Sequence, residues 1–187
     1  MPSWPPTRLT LLNRIRNPRD QEAWDEFVAL YGPLVYGFIR KRVPQDADAA
    51  DMMQEVLSAI ARGTYDHRRG PFHKWLLTVT LNELRDFFAR RNHEISIVAS
   101  SDLEEHPSKV EEEWEQAHKQ RLFDRAAELV RAETNPVHWQ AFWLTAVEDK
   151  TGKEVASILR LTISNIFSVK SRIMARIREL VQQMQED

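Results

Sequence analysis

The chain of 187 residues contains no cysteine, so a disulfide framework, a cysteine-based zinc site and a cysteine nucleophile are all excluded. It has five glycines, none grouped into a phosphate-cradling loop. No long apolar run occurs between Met1 and Arg16, so the start reads as neither a signal peptide nor a membrane span. Sustained alternation of apolar and polar residues is also missing, which argues against strands and for an all-α fold. The six histidines are scattered, and His93-Glu94 lacks the second histidine of a zinc-protease helix. They read as surface or core side chains. These absences leave little support for an enzyme, a metal site or a bound cofactor, and they fit a reducing cytoplasm.

The formal net charge of −2 conceals a segregated pattern. Between Arg68 and Arg91, six basic residues (Arg68, Arg69, Lys74, Arg85, Arg90, Arg91) stand against Glu83 and Asp86, a local charge of +4. Glu94 to Glu115 carries eight acids and only Lys109 as a base, giving −7, and Arg160 to Arg178 carries five bases and no acid, giving +5. Local patches set binding fields, because screening hides charges beyond ~10 Å. Two cationic modules joined by an anionic connector point to a polyanion partner: lysine and arginine neutralise phosphates, and aromatic rings stack on unpaired bases.

Apolar spacing predicts a succession of helices. Thr7 to Ile15 forms a short one and Pro18 interrupts it. Arg19 to Tyr31 follows, burying Trp24, Phe27, Val28 and Tyr31, with Gly32-Pro33 as the turn into a helix carrying Leu34, Val35, Phe38 and Ile39. Asp46 to Arg62 turns Met52, Met53, Val56, Leu57 and Ile60 inward and Asp48, Asp51 and Glu55 outward, with Gly63 as its stop. From Phe72, the residues Leu77, Leu81, Leu84 and Phe88 recur on one helical face, and Lys74, Thr78, Asn82 and Arg85 on another. Helical period is lost from Asn92 to Ser108, which reads as a linker. It resumes near Val110 and runs to about Glu133, followed by a helix from Pro136 whose Trp139, Phe142, Trp143, Ala146 and Val147 supply core. Thr151-Gly152-Lys153-Glu154 has the form of a capping box opening a short helix with Val155, Ile158 and Leu159 inward. Arg160-Leu161 is a turn, and Thr162 caps a last long helix to about Met184. Short helix, tight turn and longer helix make a helix-turn-helix.

Three stretches, LLNRIRNPRDQEAWDEFVALYGPLVYGFIRKR, DADAADMMQEVLSAIAR and YDHRRGPFHKWLLTVTLNELRDFFARR, together resemble the promoter-melting domain of the extracytoplasmic-function (ECF) sigma factors of bacterial RNA polymerase. The C-terminal TGKEVASILRLTISNIFSVKSRIMARIREL resembles their second DNA-binding domain. The run Lys170-Ser171-Arg172-Ile173-Met174-Ala175-Arg176 is similar to the subgroup common in planctomycetes. The resemblance covers nearly the whole chain apart from the linker. It implies two small helical domains, residues 1–91 and 111–187, joined by a flexible acidic connector at 92–110.

The resemblance also implies roles. Asp48, Asp51, Gln54 and Glu55 are the expected surface for the clamp of the polymerase β′ subunit, and the β flap is a second expected polymerase contact. His67 to Pro71 corresponds to the loop that captures a base flipped from the minus-ten element. Arg68 and Arg69 are expected to hold phosphates beside it, Phe72 and Trp75 to line the site or belong to the core, and Lys74, Asn82 and Arg85 to face upstream duplex. Thr162, Ser164, Asn165, Ser168, Ser171 and Arg172 are expected at the minus-thirty-five element, with Lys170 near phosphate. An anti-sigma protein is a further expected partner.

Three departures stand out. Ala50 replaces an acid frequent in the clamp motif, Leu81 replaces an arginine before Asn82, and Arg160 sits where glycine is common, at a cost if positive φ is needed there. A stand-alone helix-turn-helix regulator is the competing reading, and the Asp48 to Glu55 surface is the feature such a regulator would not need.

Overall fold

A computed structural model describes residues 8–63, 65–90 and 106–185. All regular structure among them is helical, as expected. The helices are α1 (Arg8–Arg14), α2 (Gln21–Arg40), α3 (Asp46–Arg62), α4 (Phe72–Arg90), α5 (Pro107–Glu133), α6 (Pro136–Ala146), α7 (Gly152–Leu159) and α8 (Ile163–Gln185), with a 3-10 turn at His67–Arg69. Internal contacts divide the chain into two units, one extending to Arg121 and the other beginning at Leu122.

In the first unit α2, α3 and α4 pack around one core. Helix α2 starts where Asp20 accepts from the amide of Ala23 at 3.0 Å, and the same carboxylate receives two bonds of 2.9 Å from Arg14, tying α1 to α2. The sequence pattern predicts a turn at Gly32-Pro33, but α2 runs through it with Pro33 inside the helix. A proline has no amide hydrogen for the carbonyl four residues back, here that of Ala29. Arg121 supplies the missing donor: its guanidinium reaches the Ala29 oxygen at 2.6 Å and the Leu30 oxygen at 3.3 Å. Pro33 itself lies on the exposed side, while Tyr31, Leu34, Val35 and Phe38 are buried, so continuing the helix preserves a single apolar stripe. Val28, expected inside, is 38% exposed.

Arg121 belongs to a helix that the sequence assigns mostly to the second domain. Residues 92–105 of the expected connector lie outside the described residues, but α5 begins at Pro107 and its first turns pack into the first unit. Val110 and Trp114 make the reason plain. Both are buried, Trp114 completely, and they lie one turn apart on the face of α5 that joins the first core. The Trp114 ring meets Phe38 edge to face at 5.1 Å, and its indole N–H donates to the His73 carbonyl at 2.9 Å. Glu113 completes the attachment by accepting from Lys41 at 2.8 Å and from Arg42 at 2.6 Å. The Arg42 guanidinium lies 3.7 Å over the Phe38 ring.

In the second unit α6, α7 and α8 pack together with the later part of α5. The capping box is formed: Thr151 Oγ1 accepts from the Glu154 amide at 3.3 Å, and Glu154 accepts from the Thr151 amide at 2.8 Å. Thr162 caps α8 through the Asn165 amide at 3.2 Å. Of the residues expected to build the core of α6, Phe142 is buried but Trp143 and Val147 are 44% and 51% exposed. Ala141, Leu144 and Thr145 take their place inside, with the Thr145 hydroxyl donating to the Ala141 carbonyl. Ile158, expected inward, is 53% exposed, and Ile163 and Phe167 in the first turns of α8 are exposed as well.

Arg160 closes α7 with φ 55° and ψ 40°, the left-handed conformation that glycine adopts without penalty. Replacing Arg160 by Gly is expected to raise stability by about 0.5–1 kcal/mol, the left-handed cost less the entropy of a glycine. A urea midpoint that falls would contradict that assignment of strain.

The Glu113 attachment carries a pH dependence. Burial opposes ionisation of the carboxyl, but the hydrogen bonds from Arg42 and Lys41 outweigh it and hold its pKa below the ordinary glutamate value. The resulting stabilisation is complete above the unfolded pKa of about 4.3 and is lost as pH falls through the depressed folded value. Glu113→Gln is therefore expected to lower stability at neutral pH by about 1–3 kcal/mol and to flatten the loss of stability below about pH 4. Urea denaturation across that range measures both effects.

Candidate nucleic-acid and polymerase interfaces

Three surfaces carry the residues singled out from the sequence. On α3, Asp51, Gln54 and Glu55 are exposed and Asp48 half-buried, while Ala49, Met52, Met53 and Val56 of the same helix fill the core. Amphipathic spacing alone puts the polar groups on one outward strip. The strip continues onto α4, because burial, then the charges of Asp86 and Glu55, push the Glu83 carboxyl above its ordinary range. Glu83 is missing from the sequence reading, which counts it only as an offset to the arginines of α4. No spacing rule joins a residue of α4 to one of α3.

The second surface is the turn from Tyr65 to Pro71 with the outer face of α4. Asp66 organises the turn by accepting from the Arg68 amide at 3.0 Å, and the Tyr65 hydroxyl donates to the Gly70 carbonyl at 2.7 Å. Gly70 has φ 127°, which side-chain-bearing residues rarely adopt. Arg68 and Arg69 project from this turn, and both are exposed. Beneath them lies an aromatic cluster. Phe72 meets Phe27, Tyr31, Tyr65 and Trp75 at centroid separations of 5.9, 5.1, 5.1 and 5.5 Å.

Phe72 is 1% exposed, so of the two roles open to it from the sequence the structure gives it the core, and it presents no face to a base. Trp75 is only half-buried. A side chain at Gly63 would bring its Cβ within 3.1 Å of the Trp75 ring and 3.0 Å of the Ala59 carbonyl, so the glycine is what lets that ring lie against the end of α3. A small cleft of about 50 Å³ opens here, with Arg16, Tyr65 and Trp75 among its walls.

Along α4, Lys74, Thr78, Asn82 and Arg85 are all exposed on one side, and the Arg85 guanidinium donates to the Asn82 side-chain oxygen at 3.3 Å. They do not face open solvent throughout. A cleft of about 380 Å³ has Lys74, Thr78 and Arg85 on one wall and Glu111 and Glu115 of α5 on the other. The acidic character read from the connector thus falls partly on a helix that stands beside the cationic face.

The third surface lies in the second unit, on α8 and the turn before it. Thr162, Ser164, Ser168, Ser171 and Arg172 are exposed, and Asn165 is half-buried. The positions 164, 168, 171 and 172 share one side of α8, opposite the buried Ile166, Val169 and Ile173. Lys170 stands apart from them: it is half-buried, and its ammonium donates to the Thr145 carbonyl at 2.9 Å. That bond ties α8 to the end of α6. Arg172 also borders a cleft of about 300 Å³ with Glu133, His138 and Arg176.

Known proteins resemble the chain in the same regions. Residues 27–94, which hold the anionic strip, the arginine turn and α4, match the Sigma-70 region 2 family. The RNA polymerase sigma factor CarQ of Myxococcus xanthus is 23% identical over 166 residues, spanning 88% of this chain and 92% of that protein. The solved structure of CnrH in complex with the cytosolic domain of CnrY is 19% identical and covers 92% of this chain and 96% of that one, with a TM-score of 0.36. Residues 27–94 are therefore similar to the Sigma-70 region 2 family, and the chain is similar over most of its length to an RNA polymerase sigma factor.

Proposed function

We propose that this protein is an ECF-type sigma factor, a non-enzymatic subunit that gives RNA polymerase its promoter specificity and assists in melting the DNA. The observation that carries the reading is the coincidence of the region 2 match with an outward anionic strip and an exposed arginine turn on the same unit. Asp48, Asp51, Gln54 and Glu55 dock on the β′ clamp, where carboxylates meet arginines in charge-assisted hydrogen bonds.

Arg68 and Arg69 hold phosphates beside a base extruded from the minus-ten element, with Trp75 as the ring available for stacking. Lys74, Asn82 and Arg85 meet the upstream duplex. The exposed side of α8 enters the major groove at the minus-thirty-five element, where Asn165 and Arg172 are chemically suited to adenine and guanine. Lys170 contributes by positioning α8 rather than by gripping phosphate, since its ammonium holds the Thr145 carbonyl. The β flap and an anti-sigma protein complete the partners of this reading, the Lys170 to Arg176 run gives it a planctomycete-like cast, and cytoplasmic residence follows from it. No described helix is long and apolar enough to cross a membrane.

Mixing the chain with bacterial core polymerase tests the reading. Co-elution and initiation from promoter fragments are expected for the natural sequence. Both are expected to be lost in Asp51→Arg/Glu55→Arg, which alters two exposed side chains and leaves helicity intact. A folded chain that shifts duplex DNA yet never joins the polymerase would support a stand-alone regulator instead.

The arginine turn gives a second test. Gly70→Ala is expected to cost about 1–3 kcal/mol, all of it through the positive-φ backbone, since a Cβ at that position meets nothing within 4 Å. It should reduce permanganate reactivity of promoter thymines while leaving polymerase association unchanged. Unaltered melting would remove the turn from the mechanism.

A further inference from the structure

The fold collects two of the scattered histidines. His73, in the first turn of α4, and the pair Glu115 and His118, three residues apart on α5, bring one ligand atom each to a common point, all within 4.8 Å of one another. The His73 and His118 rings stack with centroids 4.5 Å apart and planes 14° from parallel, and His73 Nε2 is hydrogen-bonded to a Glu115 oxygen. His118 is 4% exposed, an unusual placement for an imidazole on an otherwise strongly polar helix.

We propose that His73, Glu115 and His118 form a binding site for a transition-metal dication, with zinc the ion that fits best, clipping the first turns of α5 to the start of α4. Two neutral imidazoles and one carboxylate are a zinc donor set, and three protein ligands leave a fourth position for water. The Glu-x-x-His spacing puts both α5 ligands on one side of that helix, as in carboxylate-histidine metal sites built within helical bundles. Around zinc the donor atoms stand about 3.3 Å from one another, so the three side chains draw together from the 4.8 Å within which they now lie. The helices themselves are already held in register, because the neighbouring Trp114 donates to the backbone carbonyl of His73, and Glu111 adds negative potential from the adjoining cleft. The site stands independently of the transcriptional reading, since it requires no polymerase and no DNA.

Isothermal titration of the chelator-treated full chain with zinc, beside visible absorption after loading with cobalt, decides the matter. One ion per chain at micromolar affinity or tighter is expected, with cobalt ligand-field bands of tetrahedral intensity. Glu115→Gln and His118→Gln are each expected to weaken zinc at least tenfold, while His106→Gln, which alters an exposed histidine outside the cluster, leaves it unchanged. Glu115 is half-exposed, so its variant decides if the buried His118 variant fails to fold. Millimolar binding, octahedral cobalt bands, or undiminished affinity in Glu115→Gln would each overturn the assignment.

Discussion

Burial of the Trp114 indole is the constraint on which the first unit's functional surfaces depend. A tryptophan with no exposed surface stabilises its contacts strongly, and removing such a side chain costs about 3–5 kcal/mol. Because the ring is wedged beside Phe38 and its N–H reaches the His73 carbonyl, α5 takes a defined position against both α2 and α4. What else α5 contributes to the first unit is consistent with that placement. Glu113 meets Lys41 and Arg42, Arg121 satisfies the carbonyl that Pro33 leaves without a backbone donor, and Glu115 and His118 arrive beside His73.

Much of this architecture was readable from the chain. Periodicity identified α3, α4, the two halves of α2 on either side of Gly32-Pro33, and the extents of the helices in the second unit. The Thr151 capping box and the Thr162 cap were equally plain, being local hydrogen-bond patterns within four residues. What escaped was non-local. Gly32-Pro33 reads as a break in any local scheme, and only a guanidinium from a distant helix makes its continuation inexpensive. The contribution of 107–121 to the first core was hidden because Val110 and Trp114 are sparse apolar points in a glutamate-rich run. Trp143 and Val147 look like core by composition, yet Ala141, Leu144 and Thr145 fill the interior.

The candidate surfaces divide along the same line. Outward strips such as Asp51, Gln54 and Glu55, or Ser164, Ser168 and Arg172, are legible wherever a helix is amphipathic. Residues that the sequence leaves ambiguous are resolved by packing: Phe72 becomes the centre of an aromatic cluster, and Lys170 a brace between two helices. Strain at Arg160 was foreseeable from the turn, and the left-handed backbone there realises it.

The cleft between α4 and α5 has a thermodynamic corollary. Glu111 and Glu115 line it together with Lys74 and Arg85, so the carboxylates lower the positive potential of the cationic face. Nucleic-acid association normally gains from the release of small ions, and its affinity falls with salt in proportion to the phosphates neutralised. Where a glutamate already stands against a cation, fewer ions are available to release. For the proposed contact of this face with DNA, the slope of affinity against ionic strength is thus shallower than the number of lysines and arginines implies, so a bulk salt titration reports the carboxylates of α5 as well as the cations of α4.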